Sequence, residues 1–414
     1  MAPAAAAAAQ PSPAVPSHPP PSLALPPSQF ARLQPHAYLL AHLSPPASSN
    51  QPSIRANGRS PFQFRVTSAN AGSLTHTNGS AVVRVGDTAA VCGVRAEILH
   101  TDDIAAWGVS SSSGAAKRRK TGEDSAEDVD EDDDSHIRDF NLLVPNLSLS
   151  TGCAPGFIPG APPSAIAQSL SHQILALLHT SRLVRADDLR IWYQPPDLAA
   201  MERHNEGEQM ETEENEKEKE SSEPPKREIK AFWVLYIDVL IISLAGNPFD
   251  AAWAAILAAL RNTRLPKAWW DADNEMVLCS DEPSEAKKLR LRGLPVASSY
   301  CVFEADAAAG WRAVIIPDAD QERKEKESAA ATGKSKKRTE QRWILADPDG
   351  FEESLCQEKI CVVVDKDENA GGKTKIVKME KNGGLAVDRD QLKKLVEISA
   401  ERWDQIKKIL DDLE

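Results

Sequence analysis

No two cysteines in this 414-residue chain are spaced Cys-x-x-Cys, and no histidine follows His204. The six cysteines, Cys92, Cys153, Cys279, Cys301, Cys356 and Cys361, are scattered, several within apolar runs such as Ala89-Ala90-Val91-Cys92. Reduced core thiols of an intracellular protein look like this. A structural zinc needs clustered Cys and His, so no metal and no other cofactor is expected. Long apolar runs are missing too. The strongest, Phe232 to Ala245, contains Asp238 and is too short for a hydrocarbon core of about 30 Å, so no membrane partner is expected. The Ala/Pro-rich start lacks the basic and apolar blocks of a secretory signal. No repeat is visible at solenoid periods.

Charge is abundant but local. The formal net charge is −13. Residues 117–134 carry nine acids against four bases, and residues 201–223 carry ten glutamates against three bases. These two runs account for nearly the whole imbalance, so the foldable remainder is close to neutral and argues neither for nor against nucleic acid. The hydrophobic fraction of 41% suffices for real cores in what is left.

The chain reads as a disordered Ala/Pro tail over 1–28, an extension over 29–53 with a short helix between Phe30 and Leu43, and two medium domains. The first, 54–266, holds polar inserts at about 110–135 and 198–229. Phe62, Phe64 and Val66 alternate as a strand does. Thr77-Asn78-Gly79-Ser80 reads as a turn, and the runs Ala81–Val85 and Thr88–Ile98, joined at Gly86-Asp87, read as an antiparallel hairpin. Ser164 caps a helix whose stripe is Ile166, Leu170, Ile174, Leu177 and Leu178. Leu189–Tyr193 is a strand, and Phe232–Leu244 suits a central strand buried on both faces. Asp250 caps an alanine-rich helix, Ala251–Leu260. The second domain, 287–387, holds strands Val296–Phe303, Trp311–Ile316, Arg342–Ala346 and Lys359–Val364 around a charged insert at 319–341. A C-terminal helix over 388–414 presents Leu392, Leu395, Val396, Trp403, Ile406, Leu410 and Leu413 on one face.

Four blocks in order carry a family resemblance. The segment from Ser68 through Thr77-Asn-Gly-Ser80 and Val85-Gly-Asp-Thr88 to Gly93-Val-Arg-Ala-Glu97 resembles the opening of an RNase PH domain. Asp238 followed by Gly246 and Asp250-Ala-Ala252, then Asn262 with Leu265-Pro266, and last Leu345-Ala-Asp-Pro348 with Phe351-Glu-Glu353 resemble later stretches of exosome ring subunits of that family. The likeness is to the ring subunits of the eukaryotic RNA exosome. It implies an α/β (α+β), two-part RNase PH-like fold of mixed sheets with packed helices. It further implies a hetero-hexameric ring of RNase PH-like subunits, RNA-binding cap subunits and RNA as partners, a share in ribosomal RNA maturation and messenger RNA turnover, and residence in nucleus, nucleolus and cytoplasm.

Catalytic members of that family hold inorganic phosphate on Gly-Gly-Thr-Arg at a strand-to-helix junction, where a helix N-terminus, a hydroxyl and a guanidinium converge. Here the junction reads Gly246-Asn247-Pro248-Phe249-Asp250. The arginine and threonine are absent, Pro248 removes a backbone donor, and Asp250 puts a like charge where the anion would sit. Of the acidic half of the machinery, Glu353 keeps one position. Lys359 stands where a strand-opening aspartate belongs, or Glu358 if the alignment moves by one. The resemblance therefore implies a non-catalytic subunit. Arg84 and Arg95, in the hairpin similar to the family's RNA-facing region, are RNA-contact candidates or a solvated strand face. His76 reads as a turn residue, Asp347 as a structural acid at a strand end rather than a metal ligand, Trp269-Trp270 as a buried subunit contact or a stacking platform, and Lys117–Lys120 as an import signal or a chance basic run. Two rival functions stay open: a phosphate-dependent 3′-to-5′ exoribonuclease, and an acidic hub that binds basic partners through its inserts.

Overall fold

The computed structural model describes residues 26–45, 51–105, 107, 134–160, 162–193, 195, 227–304, 342–356, 358–367, 372–384 and 387–413. Nearly all of the three inserts, most of the Ala/Pro tail, Lys117–Lys120 and the expected strand Trp311–Ile316 lie outside these residues. The chain divides into two compact units, 1–58 and 59–414. In the first, the single expected helix is two, α1 (Pro27–Leu33) and α2 (Pro35–Leu43), broken at Gln34. Pro35 is the cause, since it has no N–H to continue the first helix and its ring suits the first position of the second.

The second unit is built on a six-stranded mixed sheet. Its strands are β1 (Thr67–Ala71), β2 (Gly79–Val85), β3 (Thr88–His100), β4 (Leu143–Leu149), β5 (Arg190–Tyr193) and β6 (Glu228–Ser243). β1, β2, β3 and β6 are antiparallel neighbours in that order, while β4 runs parallel and β5 antiparallel to β6. The Gly86-Asp87 hairpin forms as expected, with Val85 opposite Thr88. β6 is buried on both faces only over Ala231–Leu235. Beyond that its outer face opens, leaving Leu240 42% and Ile242 49% exposed. The expected strand through Phe62 and Val66 does not form. Val66 is 85% exposed, and the Arg65 N–H donates to Asp347 at 2.9 Å rather than to a sheet.

Helix α3 (Ala165–Ser181) is capped by Ser164, whose hydroxyl accepts from the Ala167 N–H at 3.2 Å. Leu170, Ile174, Leu177 and Leu178 are buried as expected, but Ile166, in the first turn, is exposed. A single turn, α4 (Ala186–Leu189), leads into β5. Helix α5 (Pro248–Asn262) is buried at every position from Phe249 to Leu260. Its alanines let backbones approach closely. A Cβ on Gly79, at the start of β2, would stand 2.3 Å from Thr263 Oγ1 and 2.7 Å from the Ala259 carbonyl, so only glycine fits there.

Two small antiparallel pairs follow, β7 (Arg264–Leu265) with β10 (Lys287–Lys288) and β8 (Ala268–Asp271) with β9 (Met276–Cys279). A second, four-stranded antiparallel sheet then has the order β12, β11, β13, β14, from β11 (Val296–Glu304), β12 (Arg342–Ala346), β13 (Glu358–Asp367) and β14 (Lys373–Asn382). β14 has no counterpart in the sequence reading, because its lysines give a solvated edge strand with no apolar alternation. Helix α5 meets sheet one through β2 and β3 and sheet two through β11, so it is the shared layer between them. Between β12 and β13 lies α6 (Gly350–Leu355). The last helix, α7 (Arg389–Asp411), is capped by Asp388 and buries Leu395, Trp403, Ile406 and Leu410. It also buries Ser399 and Arg402 on that face. The Ser399 hydroxyl lies 2.7 Å from Tyr300 Oη, and the Trp403 indole donates to the Leu294 carbonyl at 2.7 Å. Among the described residues no helix is long and apolar enough to cross a membrane.

Candidate functional site

The start of α5 is where the sequence reading places a degenerate phosphate cradle. Gly246 has φ +90° and Asn247 φ +46°, two successive left-handed residues that turn β6 into the helix. A Cβ on Gly246 would lie 2.4 Å from the Asp349 carbonyl carbon and the Gly350 nitrogen. The Gly350 N–H donates to the Ala245 carbonyl at 3.2 Å, so α6 is docked onto this turn. Pro248 is the first helical residue, and Asn247, not Asp250, is the N-cap. The expectation that Asp250 caps the helix is therefore corrected. It is the third helical residue, and its carboxylate is turned to β11.

Asp250 accepts from the Ser299 N–H at 2.9 Å, the Ser299 hydroxyl at 2.6 Å and Asn247 Nδ2 at 2.8 Å. The same amide nitrogen donates to Asp347 Oδ1 at 2.8 Å, so the two hydrogens of one asparagine bridge two carboxylates. Asp347, left-handed at φ +48°, is gripped by Arg65. The Arg65 Nε lies 2.8 Å and Nη2 2.7 Å from its two oxygens, the bidentate geometry a guanidinium favours. Arg65 also donates to the carbonyls of Ala245 at 3.1 Å and Gly246 at 3.2 Å. Arg59 donates to the Asp347 carbonyl at 3.0 Å. Asn247, Asp250 and Asp347 are 3%, 9% and 1% exposed.

The electrostatics follow. Burial alone would raise the Asp347 carboxyl, but the hydrogen bonds and charge of Arg65, with Asn247 assisting, outweigh it and hold the group down at about 2. Burial pushes Asp250 up, opposed by the Ser299 bonds and reinforced by the neighbouring Asp347 charge. Arg402, packed over the Phe64 ring at 4.9 Å, is lowered by burial against the pull of both aspartates. This junction ties the segment before β1, the head of α5, β11 and the loop after β12 together.

The other candidates lie apart. Glu353 pairs with Lys359 at 3.2 Å on the exposed side. Glu358, the alternative for that position, is 1% exposed and pairs with Arg342 at 2.7 Å and Lys381 at 3.2 Å. Arg84 and Arg95 stand exposed on β2 and β3. Arg84 donates to the Gly86 carbonyl at 2.8 Å, and Arg95 faces Asp238 at 3.4 Å. His76 is exposed in the turn before β2. Trp269 is 42% exposed on β8, and Trp270 meets the His100 ring edge-on at 6.0 Å. Sequence reasoning missed Arg59, Arg65, Ser299 and Arg402 altogether. Asp347 was legible as an acid at a strand end, but its partner lies 282 residues away.

Residues 63–266 match the model of the RNase PH, or 3′ exoribonuclease, family, domain 1. The exosome complex component rrp43 of Schizosaccharomyces pombe is 27% identical over 381 residues, 92% of this chain and 97% of that protein. The exosome complex component Rrp42 of Methanothermobacter thermautotrophicus is 24% identical over 270 residues, 65% of this chain and 70% of its own length. A chain from an Archaeoglobus fulgidus exosome solved with RNA bound to the active site superposes with a TM-score of 0.49 at 20% identity, over 90% of this chain and 96% of that one.

Proposed function

We propose, from the match of residues 63–266 to the RNase PH family model, that the chain is a non-catalytic subunit of an RNA exosome ring. Its partners are other RNase PH-like subunits, RNA-binding caps and RNA. It supports 3′-to-5′ processing and decay, including ribosomal RNA maturation and messenger RNA turnover, in nucleus, nucleolus and cytoplasm. Likeness to one exosome component over 92% of the chain supports the assembly half of this reading.

The single observation that carries the non-catalytic half is the pair of carboxylates at the head of α5. A phosphorolytic site must offer unsatisfied donors to an anion. Here Asp250 stands in the first turn of the helix with its carboxylate bound to Ser299, and Asn247 is spent on Asp250 and Asp347. An incoming phosphate about 4 Å from an ionised Asp250 carboxylate is repelled by roughly 4 kcal/mol at an effective dielectric near 20, while the Asp347 charge is already met by Arg65. That repulsion exceeds the ~2 kcal/mol a helix terminus offers at best.

The test is phosphorolysis by the purified native assembly on RNA. No nucleoside diphosphate release depends on this chain. Phosphate-dependent release that Asp250→Asn abolishes sinks the reading. Deleting 117–134 and 201–223 leaves the ring partners co-purifying, whereas loss of those partners would make the chain an acidic hub instead.

A further inference from the structure

The junction at the head of α5 leaves one pair of buried charges unmatched. Its acids are Asp250, Asp347 and Glu352, and the arginines around them are Arg59, Arg65 and Arg402. Arg65 takes Asp347 at 2.7 Å, and Arg59 lies 3.8 Å from Glu352. Asp250 and Arg402 remain, 9% and 6% exposed. Asp250 is held by Ser299 and Asn247, neither of which carries a charge. Arg402 donates to Thr67 Oγ1 and, at 3.3 Å, to Gln405 Oε1. Among the described residues neither group forms an ion pair.

Both side chains nevertheless line the same small cavity, of about 10 Å³. Its other walls are apolar, among them Val85, Leu257 and Ile406, and Trp253, whose indole N–H is spent on the Pro295 carbonyl at 2.6 Å. That volume is about the least that admits one water, and a buried water needs at least about two polar partners. They are at hand. A carboxylate has about four acceptor positions and a guanidinium about five N–H donors, and Asp250 accepts three bonds while Arg402 gives two. Opposite charges facing each other across hydrocarbon alone would both be left unsolvated. Burial acts on each in that sense, pushing Asp250 up and Arg402 down.

We propose that this cavity binds a single water that bridges the Asp250 carboxylate to an Arg402 N–H, latching the last helix, α7, to the head of α5. The water accepts from the guanidinium and donates to Asp250 Oδ1. Arg402 is thereby a positioning residue, tied to β1 through Thr67 and to α5 through the water. Loss of either charge strands the other in an apolar pocket, so losing both costs no more than losing one. The latch belongs to the fold of the larger unit and does not depend on the ring reading.

Native-state hydrogen exchange of the full chain, read on the amides of α7, tests it. Asp250→Asn and Arg402→Met each speed exchange there by roughly tenfold, and the double variant is no faster than Arg402→Met alone. Arg402→Gln, a neutral replacement that still reaches Thr67, gives the same pattern and serves where Arg402→Met does not fold. Single effects that multiply in the double variant overturn the latch, because Arg402 would then act only through Thr67, Gln405 and Phe64. Crystals of the chain show an ordered water within hydrogen-bond distance of both side chains. A direct Asp250–Arg402 contact, or a dry gap between them, overturns the bridge.

Discussion

Two arginine–carboxylate pairs in this molecule are alike in chemistry and opposite in setting. Arg65 grips Asp347 at 2.7 Å with the two side chains 10% and 1% exposed, whereas Arg95 meets Asp238 at 3.4 Å with both about half exposed, at 52% and 44%. The first closes a site. The second decorates a strand face, where water and salt screen it. Burial therefore decides whether such a pair is architecture or ornament: in the interior neither charge is solvated unless its partner stays in place.

The largest expected effect comes from breaking the buried pair. Arg65→Ala leaves Asp347 charged and without its principal donor, and urea unfolding of the full chain registers a loss of about 3–5 kcal/mol. Arg95→Ala costs less than about 1 kcal/mol in the same measurement. If the two losses come out equal, the contrast collapses.

Acid sharpens the comparison. Asp347 titrates at about 2 in the folded chain and near 3.9 when unfolded, so the unfolded chain takes up the proton first. Its stabilisation, roughly 2–3 kcal/mol, is complete above pH 4 and is lost as pH falls from 4 to 2. Asp347→Asn flattens that limb of a stability–pH curve. Asp250 has the opposite sign, because its raised folded value makes the native chain protonate first. Stability therefore rises as pH falls through that value toward 4, and Asp250→Asn removes this rise.

Smaller again is Asn247→Ala, which strips the amide bridge from both carboxylates. Chemical unfolding records a loss of about 1–3 kcal/mol. At the far end, Ser164→Ala removes only a helix cap and costs about 1 kcal/mol. Its effect on α3 is readable by hydrogen exchange and leaves the pH profile unchanged.

Much of the fold was legible in the residues. Ser164 caps the helix it precedes, Gly86-Asp87 turns the hairpin, and the alanines of α5 mark a helix pressed against a sheet. The failures have physical causes. Phe62 and Val66 alternate like a strand, yet the intervening Arg65 is drawn by Asp347 out of any sheet. Asp250 sits where helix caps sit, yet the left-handed turn at Gly246 and Asn247 starts the helix earlier. β14 was invisible because an edge strand facing water keeps its lysines. Of the candidate site, Gly246, Asn247, Pro248 and Asp250 could be singled out at a single junction, and Asp347 as an acid at a strand end. Arg65 and Ser299 could not.

By itself the sequence determined the features that neighbouring residues settle among themselves: caps, turns, helix faces and the hairpin. Only the tertiary structure decided how the junction at Gly246 is tied to the rest of the chain. An arginine 282 residues from its aspartate carries no local signal. Its value comes from shared desolvation, which exists only once α5 and the two sheets have closed over both charges.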